Sequence, residues 1–131
     1  MTAENLDDLL NGHCVEYPKG TPTLDGDVVR RLLPLVPGWE LVRADERAVS
    51  RARPPTGADG QGLRWTKRMD DFMAAVEAVN KVAALAEEEQ HHPDIRIHGY
   101  RNLALDLSTH SIGGLSLNDF IMAAKINLAL G

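Results

Sequence analysis

The sequence predicts an α+β fold with the element order α-β-β-α-β-β-α, in which helices pack on one face of a four-stranded antiparallel sheet. Three observations lead to this prediction. Three segments repeat apolar residues at helical spacing, and two pairs of segments alternate apolar and polar residues as strands do. Short stretches that contain Gly or Pro separate these segments, so each strand pair forms an antiparallel hairpin with a helix before and after it.

The first 23 residues differ in character from the rest of the chain. A short helix is predicted over residues 6–10, and a stretch punctuated by Gly and Pro follows over residues 12–22, as is typical of a surface segment. The expected organisation is an N-terminal arm over residues 1–23 and one domain over residues 24–131.

The first half of the domain contains one helix and one hairpin. Apolar residues at helical spacing predict a helix over residues 25–33, which Pro34 ends. Alternation predicts a strand over residues 39–53, a loop over residues 54–62 and a partner strand over residues 63–69.

The longest predicted helix follows this hairpin. Asp70 is expected to cap its first turn, and Pro93 is expected to end it near residue 90 or 91, because the residue before a proline avoids helical geometry. Its expected buried stripe is Phe72, Val76, Val79, Val82, Ala83 and Ala86.

The second hairpin and the last helix complete the domain. Ile95 and Ile97 alternate with polar residues, and a turn is predicted near Gly99. Ser116 and Asp119 form a capping box that opens the last helix. The second strand is expected to bury one face, formed by Leu103, Leu105 and Leu107. The opposite face is expected to carry Ala104, Asp106, Ser108 and His110. The last helix is expected to bury Leu117, Phe120, Ile121, Ala124 and Leu128.

Composition argues against several classes of protein. The chain carries 19 acidic and 14 basic residues, a net charge of −5, which disfavours direct binding to nucleic acid or to an anionic membrane surface. No apolar run approaches the roughly 20 residues that span a bilayer, and the first residues lack the basic start of a secretory signal. Cys14 is the single cysteine, so a cytoplasmic location without disulfides is expected.

Four of the five histidines fall between positions 91 and 110. Histidine suits proton transfer near neutral pH. His91 and His92 lie where Pro93 ends a helix, so both imidazoles project from a fixed, irregular piece of backbone. Glu87 lies four residues before His91 on the same helical face and is expected to orient its imidazole. Carboxylates at the end of a helix oppose its dipole, and such an uncompensated feature is often functional.

Each of these residues also has an ordinary structural interpretation. The paired histidines could cap helix carbonyls, and the Glu run could be a solvated face. His110 could be solvated, Asp119 is explained by the capping box, His98 is expected to be exposed, and Trp39 could be core. Glu88-x-x-His91 is half of a di-iron motif without a second copy, so no metal is expected.

Seven residues at fixed spacing, most of them discussed above, are similar to the signature of the pterin-4a-carbinolamine dehydratases. Residues 37–41 resemble the first strand of that family, and the resemblance covers roughly residues 24–130. The signature positions are Glu87, His91, His92, Pro93, Tyr100, His110 and Asp119.

The resemblance implies an enzyme that removes water from a 4a-hydroxytetrahydropterin to give quinonoid dihydropterin, which supports tetrahydropterin recycling after an aromatic amino acid hydroxylase has acted. It implies that His91 and His110 form the acid/base pair, that His92 positions the pterin, and that Glu87 orients His91. The other substrate-binding residues that it implies are Pro93, Ser108, Thr109, Ser111, Asp119 and Trp39, the last as a wall of the pocket.

The resemblance also implies what the enzyme binds. No metal and no organic cofactor is expected, and the expected partners are the pterin substrate and further copies of the chain in a homodimer or homotetramer. The alternative is a non-catalytic or bifunctional binding protein of the same fold, either a transcriptional coactivator or an assembly factor. The assembly factors lack the paired histidines, whereas the coactivator keeps its catalytic residues, so the coactivator role stays open.

Overall fold

A computed structural model describes residues 3–43 and 60–131, and it confirms the α+β fold. The strands are β1 (Trp39–Arg43), β2 (Gln61–Arg68), β3 (Asp94–His98) and β4 (Asn102–Leu107). The helices are α1 (Leu6–Asn11), α2 (Gly26–Leu32), α3 (Phe72–Glu89) and α4 (Leu117–Leu130), with short 3-10 helices at Leu33–Leu35 and His110–Ile112.

The four strands form one antiparallel sheet in the order β1-β2-β4-β3. The two predicted hairpins therefore meet through β2 and β4, where Leu63 lies opposite Leu107. The turn between β3 and β4 places Gly99 and Tyr100 at positive φ. The predicted continuation of the first strand beyond residue 43 and most of the predicted loop lie outside the described residues.

The sheet buries the leucines that alternation predicts. Leu103, Leu105 and Leu107 are at most 1% exposed and pack in the same core as the helices. Ala104, predicted on the opposite face, is also buried. Its small side chain lies between the longer Thr66 and Arg96 of the flanking strands, which explains the difference.

The long helix α3 begins one residue later than predicted and turns a different stripe to the core. Asp71, not Asp70, is the N-cap, and its side chain accepts the Ala74 N–H at 2.8 Å. Phe72 is 52% exposed, against the prediction. Small residues let the helix approach the layer beneath it closely. The buried positions are Ala75, Ala78, Val82, Ala86 and Glu89.

The last helix, α4, has the predicted capping box formed by Ser116 and Asp119. Leu128, predicted to be buried, is 72% exposed. At this level of the helix the inward contact comes from Asn127, whose amide accepts a hydrogen bond from the Trp39 indole and donates one to the Pro37 carbonyl.

The arm is packed more firmly than its composition suggests. Helix α1 lies against α4, and Leu9 is completely buried in the main core together with Ala3. Burial of a leucine side chain contributes about 1.5–3 kcal/mol, enough to hold a six-residue helix that has little stability of its own. The residues that follow α1 are thereby directed across the end of α4.

Candidate active site

A cavity of about 260 Å³ lies where α3 ends, β4 ends and α4 begins. All three histidines that the sequence singles out line it, so the structure brings together the segments that follow α3 and β4. The predicted site residues on its wall are His91, His92, Ser108, Thr109, His110 and Ser111.

His91 is held by a buried carboxylate. Helix α3 ends at Gln90, which adopts left-handed geometry with φ of 54°, so His91 leaves the helix axis. Its Nε2 lies 2.7 Å from Asp119 Oδ1, and the Asp119 side chain is fully buried. The other carboxylate oxygen accepts the Thr109 hydroxyl at 2.9 Å and the Ser116 N–H at 3.0 Å. Because carboxylate oxygens accept hydrogen bonds, we assign the proton of His91 to Nε2, which leaves Nδ1 as an acceptor.

Glu87 contacts His92, which corrects the prediction that it orients His91. Glu87 Oε2 lies 2.6 Å from His92 Nε2, and both side chains are largely exposed. The reason is the left-handed residue at Gln90, which ends the helical spacing on which the prediction depended. Each of the two adjacent histidines therefore has a carboxylate of its own.

His110 begins a short 3-10 helix, His110–Ile112, and does not end the strand as predicted. The preceding Thr109 fixes this turn, because its N–H donates to the Gly114 carbonyl at 2.8 Å and its hydroxyl is buried against Asp119 and Ser116. The His110 imidazole is exposed and forms no hydrogen bond with the described residues. It is free to exchange a proton with a molecule in the cavity.

Five lining residues were not predicted from the sequence. Gln90 and Asn118 are next to predicted residues in the chain, whereas the arm segment 15–17 comes from far away. The Asn118 side chain accepts the Val15 N–H at 3.0 Å and donates to the Val15 carbonyl at 2.7 Å, across 103 positions. No local pattern signals such a contact. The five residues are Val15, Glu16, Tyr17, Gln90 and Asn118.

Glu89 anchors the arm from behind the cavity. Its side chain is 2% exposed and accepts hydrogen bonds from Lys125 Nζ at 2.7 Å and from the Cys14 N–H at 2.8 Å, with His13 Nδ1 at 3.0 Å. Burial alone would raise the pKa of Glu89, but the bonds from Lys125, Cys14 and His13 outweigh burial and lower that pKa to about 2. Glu89 is therefore an ionised anchor throughout the neutral range.

Cys14, which belongs to the segment predicted to lie on the surface, is close to the site. Its Sγ is 3.6 Å from the Asn118 carbonyl oxygen. Burial, reinforced by the charges of Glu89 and Asp119, raises the pKa of Cys14 to about 12. Burial also raises the pKa of Tyr17. The thiol is thus protonated at neutral pH and is a poor nucleophile.

Among residues 3–43 and 60–131, no three His, Cys, Asp or Glu side chains are grouped so that they could hold a metal ion. None of the helices described in this chain has the length and apolar character to cross a membrane.

Comparison with known proteins identifies the family. The model of the family described as pterin 4 alpha carbinolamine dehydratase matches residues 22–129. The chain belongs to this family. Membership confirms the predicted class of enzyme, a pterin-4-alpha-carbinolamine dehydratase, which is a hydro-lyase.

Relatives in several bacteria are named as dehydratases of this family. A protein of Rubrobacter xylanophilus named in this way is 35% identical over 93% of this chain and 98% of its own length. One of Xanthomonas oryzae is 38% identical over 89% of this chain and 86% of its own length. A crystal structure from Brucella melitensis, titled a transcriptional coactivator/pterin dehydratase, matches with a TM-score of 0.64 at 24% identity. It covers 84% of this chain and 100% of the other, and it supports the fold.

Trp39, expected as a wall of the pocket, does not line the cavity. It is 5% exposed on β1, at the far side of the sheet from β3, and its ring lies 6.5 Å from that of Trp65. Its indole N–H donates to Asn127 at 2.9 Å, so it packs at the opposite end of α4 from Asp119. Pro93 is buried and also lies off the cavity wall.

Proposed function

We propose that this chain dehydrates a 4a-hydroxytetrahydropterin to quinonoid dihydropterin by general acid/base catalysis with histidines, without a metal or an organic cofactor. The observation that carries the proposal is the convergence of His91, His92 and His110 on one small cavity. At about 260 Å³ the cavity lies just below the usual range for drug-sized ligands and suits one bicyclic ring.

The reaction needs two proton transfers at neighbouring atoms of the substrate. A base removes the proton from N5, the N5–C4a double bond forms, and the C4a–O bond breaks as an acid protonates the departing hydroxyl to water. We assign the base to His91, because its proton on Nε2 is held by Asp119 at 2.7 Å and Nδ1 is left to accept. The buried carboxylate also stabilises the imidazolium that results.

We assign the acid to His110, whose imidazole has no partner among the described residues and is open to the cavity. His92, paired with Glu87 at 2.6 Å, is proposed to position the pterin. Ser108 and Ser111 line the cavity and are proposed to hold the ring by hydrogen bonds. Thr109 acts indirectly, because its hydroxyl is already bound to Asp119 and Ser116.

The test is stopped-flow dehydration of chemically generated 4a-hydroxytetrahydropterin by single variants. His91→Ala and His110→Ala are expected to lower turnover about 100-fold or more, since each positioned acid or base contributes about 10²- to 10⁴-fold. The double variant is expected to lose less than the product of the single losses, because the two groups act as a unit.

His98→Ala is the matched control, because His98 is an exposed histidine on β3 that does not line the cavity. Turnover by this variant is expected to equal that of the wild type. An equal loss in His98→Ala and His91→Ala, with both proteins folded, would show that the catalytic pair is wrongly assigned.

The setting of the enzyme is also a proposal. We propose that it acts in tetrahydropterin recycling in the cytoplasm, through the domain over residues 24–131, without contacting nucleic acid or membrane. We further propose a homodimer or homotetramer, because β3 is an edge strand and several large apolar side chains are exposed, one of them on β3 itself. Light scattering at several protein concentrations tests this, and a monomeric mass throughout would contradict it. The exposed side chains are Phe72, Met73, Ile95 and Tyr100.

A further inference from the structure

The arm forms part of the cavity wall, and two contacts fix its position. Asn118, itself 4% exposed, holds both the N–H and the carbonyl of Val15. One residue earlier, the Cys14 N–H donates to the buried carboxylate of Glu89 at 2.8 Å. Two consecutive backbone units are therefore tied to α3 and α4, so the next residue, Glu16, has a defined position on the wall.

Glu16 is the one acidic residue among the described residues that line the cavity. Two other carboxylates near the cavity already bind a histidine. Glu87 Oε2 lies 2.6 Å from His92 Nε2, and Asp119 Oδ1 lies 2.7 Å from His91 Nε2. Within residues 3–43 and 60–131, no side chain pairs with the Glu16 carboxylate, which is exposed. This carboxylate supports neither the fold nor a histidine, so it is available to a ligand.

The chemistry of a pterin matches a carboxylate at this position. The ring bears a 2-amino group beside N3–H, and these two donors point in the same direction. A carboxylate has two acceptor oxygens that take both, and charge-assisted hydrogen bonds of this kind are the strong ones. The carbon that bears the amino group lies directly across its ring from C4a, so a substrate whose C4a faces the histidines turns its amino edge away from them.

We propose that Glu16 binds the 2-amino and N3–H edge of the pterin, which makes the arm part of the substrate site. This inference rests on the proposed function, since it takes a pterin as the ligand. Glu16 is a recognition residue that does not take part in proton transfer. Its loss therefore weakens binding and leaves the chemical step intact.

The test measures binding of 7,8-dihydropterin and of the same ring without its 2-amino group, by isothermal titration calorimetry. Wild-type protein is expected to bind the amino compound about 10-fold or more tightly than the other, as hydrogen bonds to a charged group allow. Glu16→Gln and Glu16→Ala are expected to lose most of that preference, because affinity falls for the amino compound alone. In the dehydration assay KM rises about 10-fold in both variants, and kcat stays within about 2-fold.

Glu88→Gln is the matched control. Glu88 is an exposed carboxylate in the last turn of α3, close to the cavity, but it does not line the cavity. It removes one negative charge and is expected to keep the wild-type preference. An unchanged preference in Glu16→Ala, or an equal loss of affinity for both compounds, overturns the inference. A wild type that binds with the Glu16-dependent preference but fails to dehydrate the substrate rejects the proposed function and leaves the inference standing. Absence of any pterin binding rejects both.

Discussion

Glu89 offers a quantitative test of how the arm is held. Its pKa falls from an ordinary value of 4.5 to about 2 in the folded protein, although burial opposes this, because Lys125, Cys14 and His13 bind the charged form. The side chain is 2% exposed, so solvent screens these contacts little. The shift corresponds to about 3 kcal/mol of folding free energy at pH 7.

The sign of the pH dependence follows from the direction of this shift. A carboxyl whose pKa is lowered on folding stabilises the fold above its unfolded pKa, near 4.5, and this stabilisation is lost as pH falls through the folded pKa, near 2. Glu89→Gln removes the charge and keeps the shape. It is expected to be less stable than wild type by about 3 kcal/mol at pH 7. Most of that difference should disappear between pH 4.5 and pH 2.

Urea unfolding of both proteins at several pH values measures this difference directly. Other carboxyls titrate in the same range, so the quantity of interest is the gap between wild type and variant at each pH. Glu88→Gln is the control, because Glu88 is exposed and adjacent in the chain, and its unfolding free energy should match that of wild type. A gap for Glu89→Gln that does not change with pH, or an equal gap for Glu88→Gln, refutes the reasoning.

Three further predictions follow from individual contacts. Because burial raises the pKa of Cys14 to about 12, its thiol should react with a disulfide reagent at pH 8 at least about 100-fold more slowly in the native protein than in urea. Asp119→Asn should lower kcat about 100-fold or more. The amide oxygen must take the place of Oδ2, which accepts the Ser116 N–H, so the amide N–H₂ takes the place of Oδ1 and faces His91 Nε2. His91 Nε2 must then accept a hydrogen bond, which places the proton of the imidazole on Nδ1, the atom assigned as the base. Ring nitrogen chemical shifts should then report His91 protonated on Nδ1. Asn127→Ala should cost about 1–3 kcal/mol in urea unfolding through the lost Trp39 contact, with kcat unchanged, because it lies away from the cavity.

The amino-acid sequence alone was sufficient to predict the fold class and to single out the three histidines that line one cavity. Helical and strand periodicities are local properties, so segments such as the alternating leucines of β4 could be assigned without knowledge of their neighbours. The spacing of the histidine cluster is also a local pattern, and it carried the resemblance to the family. His91 and His92 are adjacent to Pro93, which ends the helix wherever the rest of the chain lies.

The groups that surround those histidines could not be predicted, because they depend on how distant segments pack. The carboxylates at the end of α3 looked uncompensated, yet Glu89 meets Lys125 and the Cys14 N–H, 36 and 75 positions away. Because Gln90 adopts left-handed geometry, Glu87 pairs with His92, and His91 pairs with Asp119.

The position of the arm also depends on contacts between residues that are far apart in the chain. Its short helix could be predicted, but its packing depends on Leu9, which enters a core built by the rest of the chain. The hydrogen bonds between Asn118 and Val15 join residues 103 positions apart. Contacts of this kind form only after the intervening elements have packed, so no pattern of neighbouring residues encodes them. For this reason the sequence did not predict that Glu16 lies on the cavity wall.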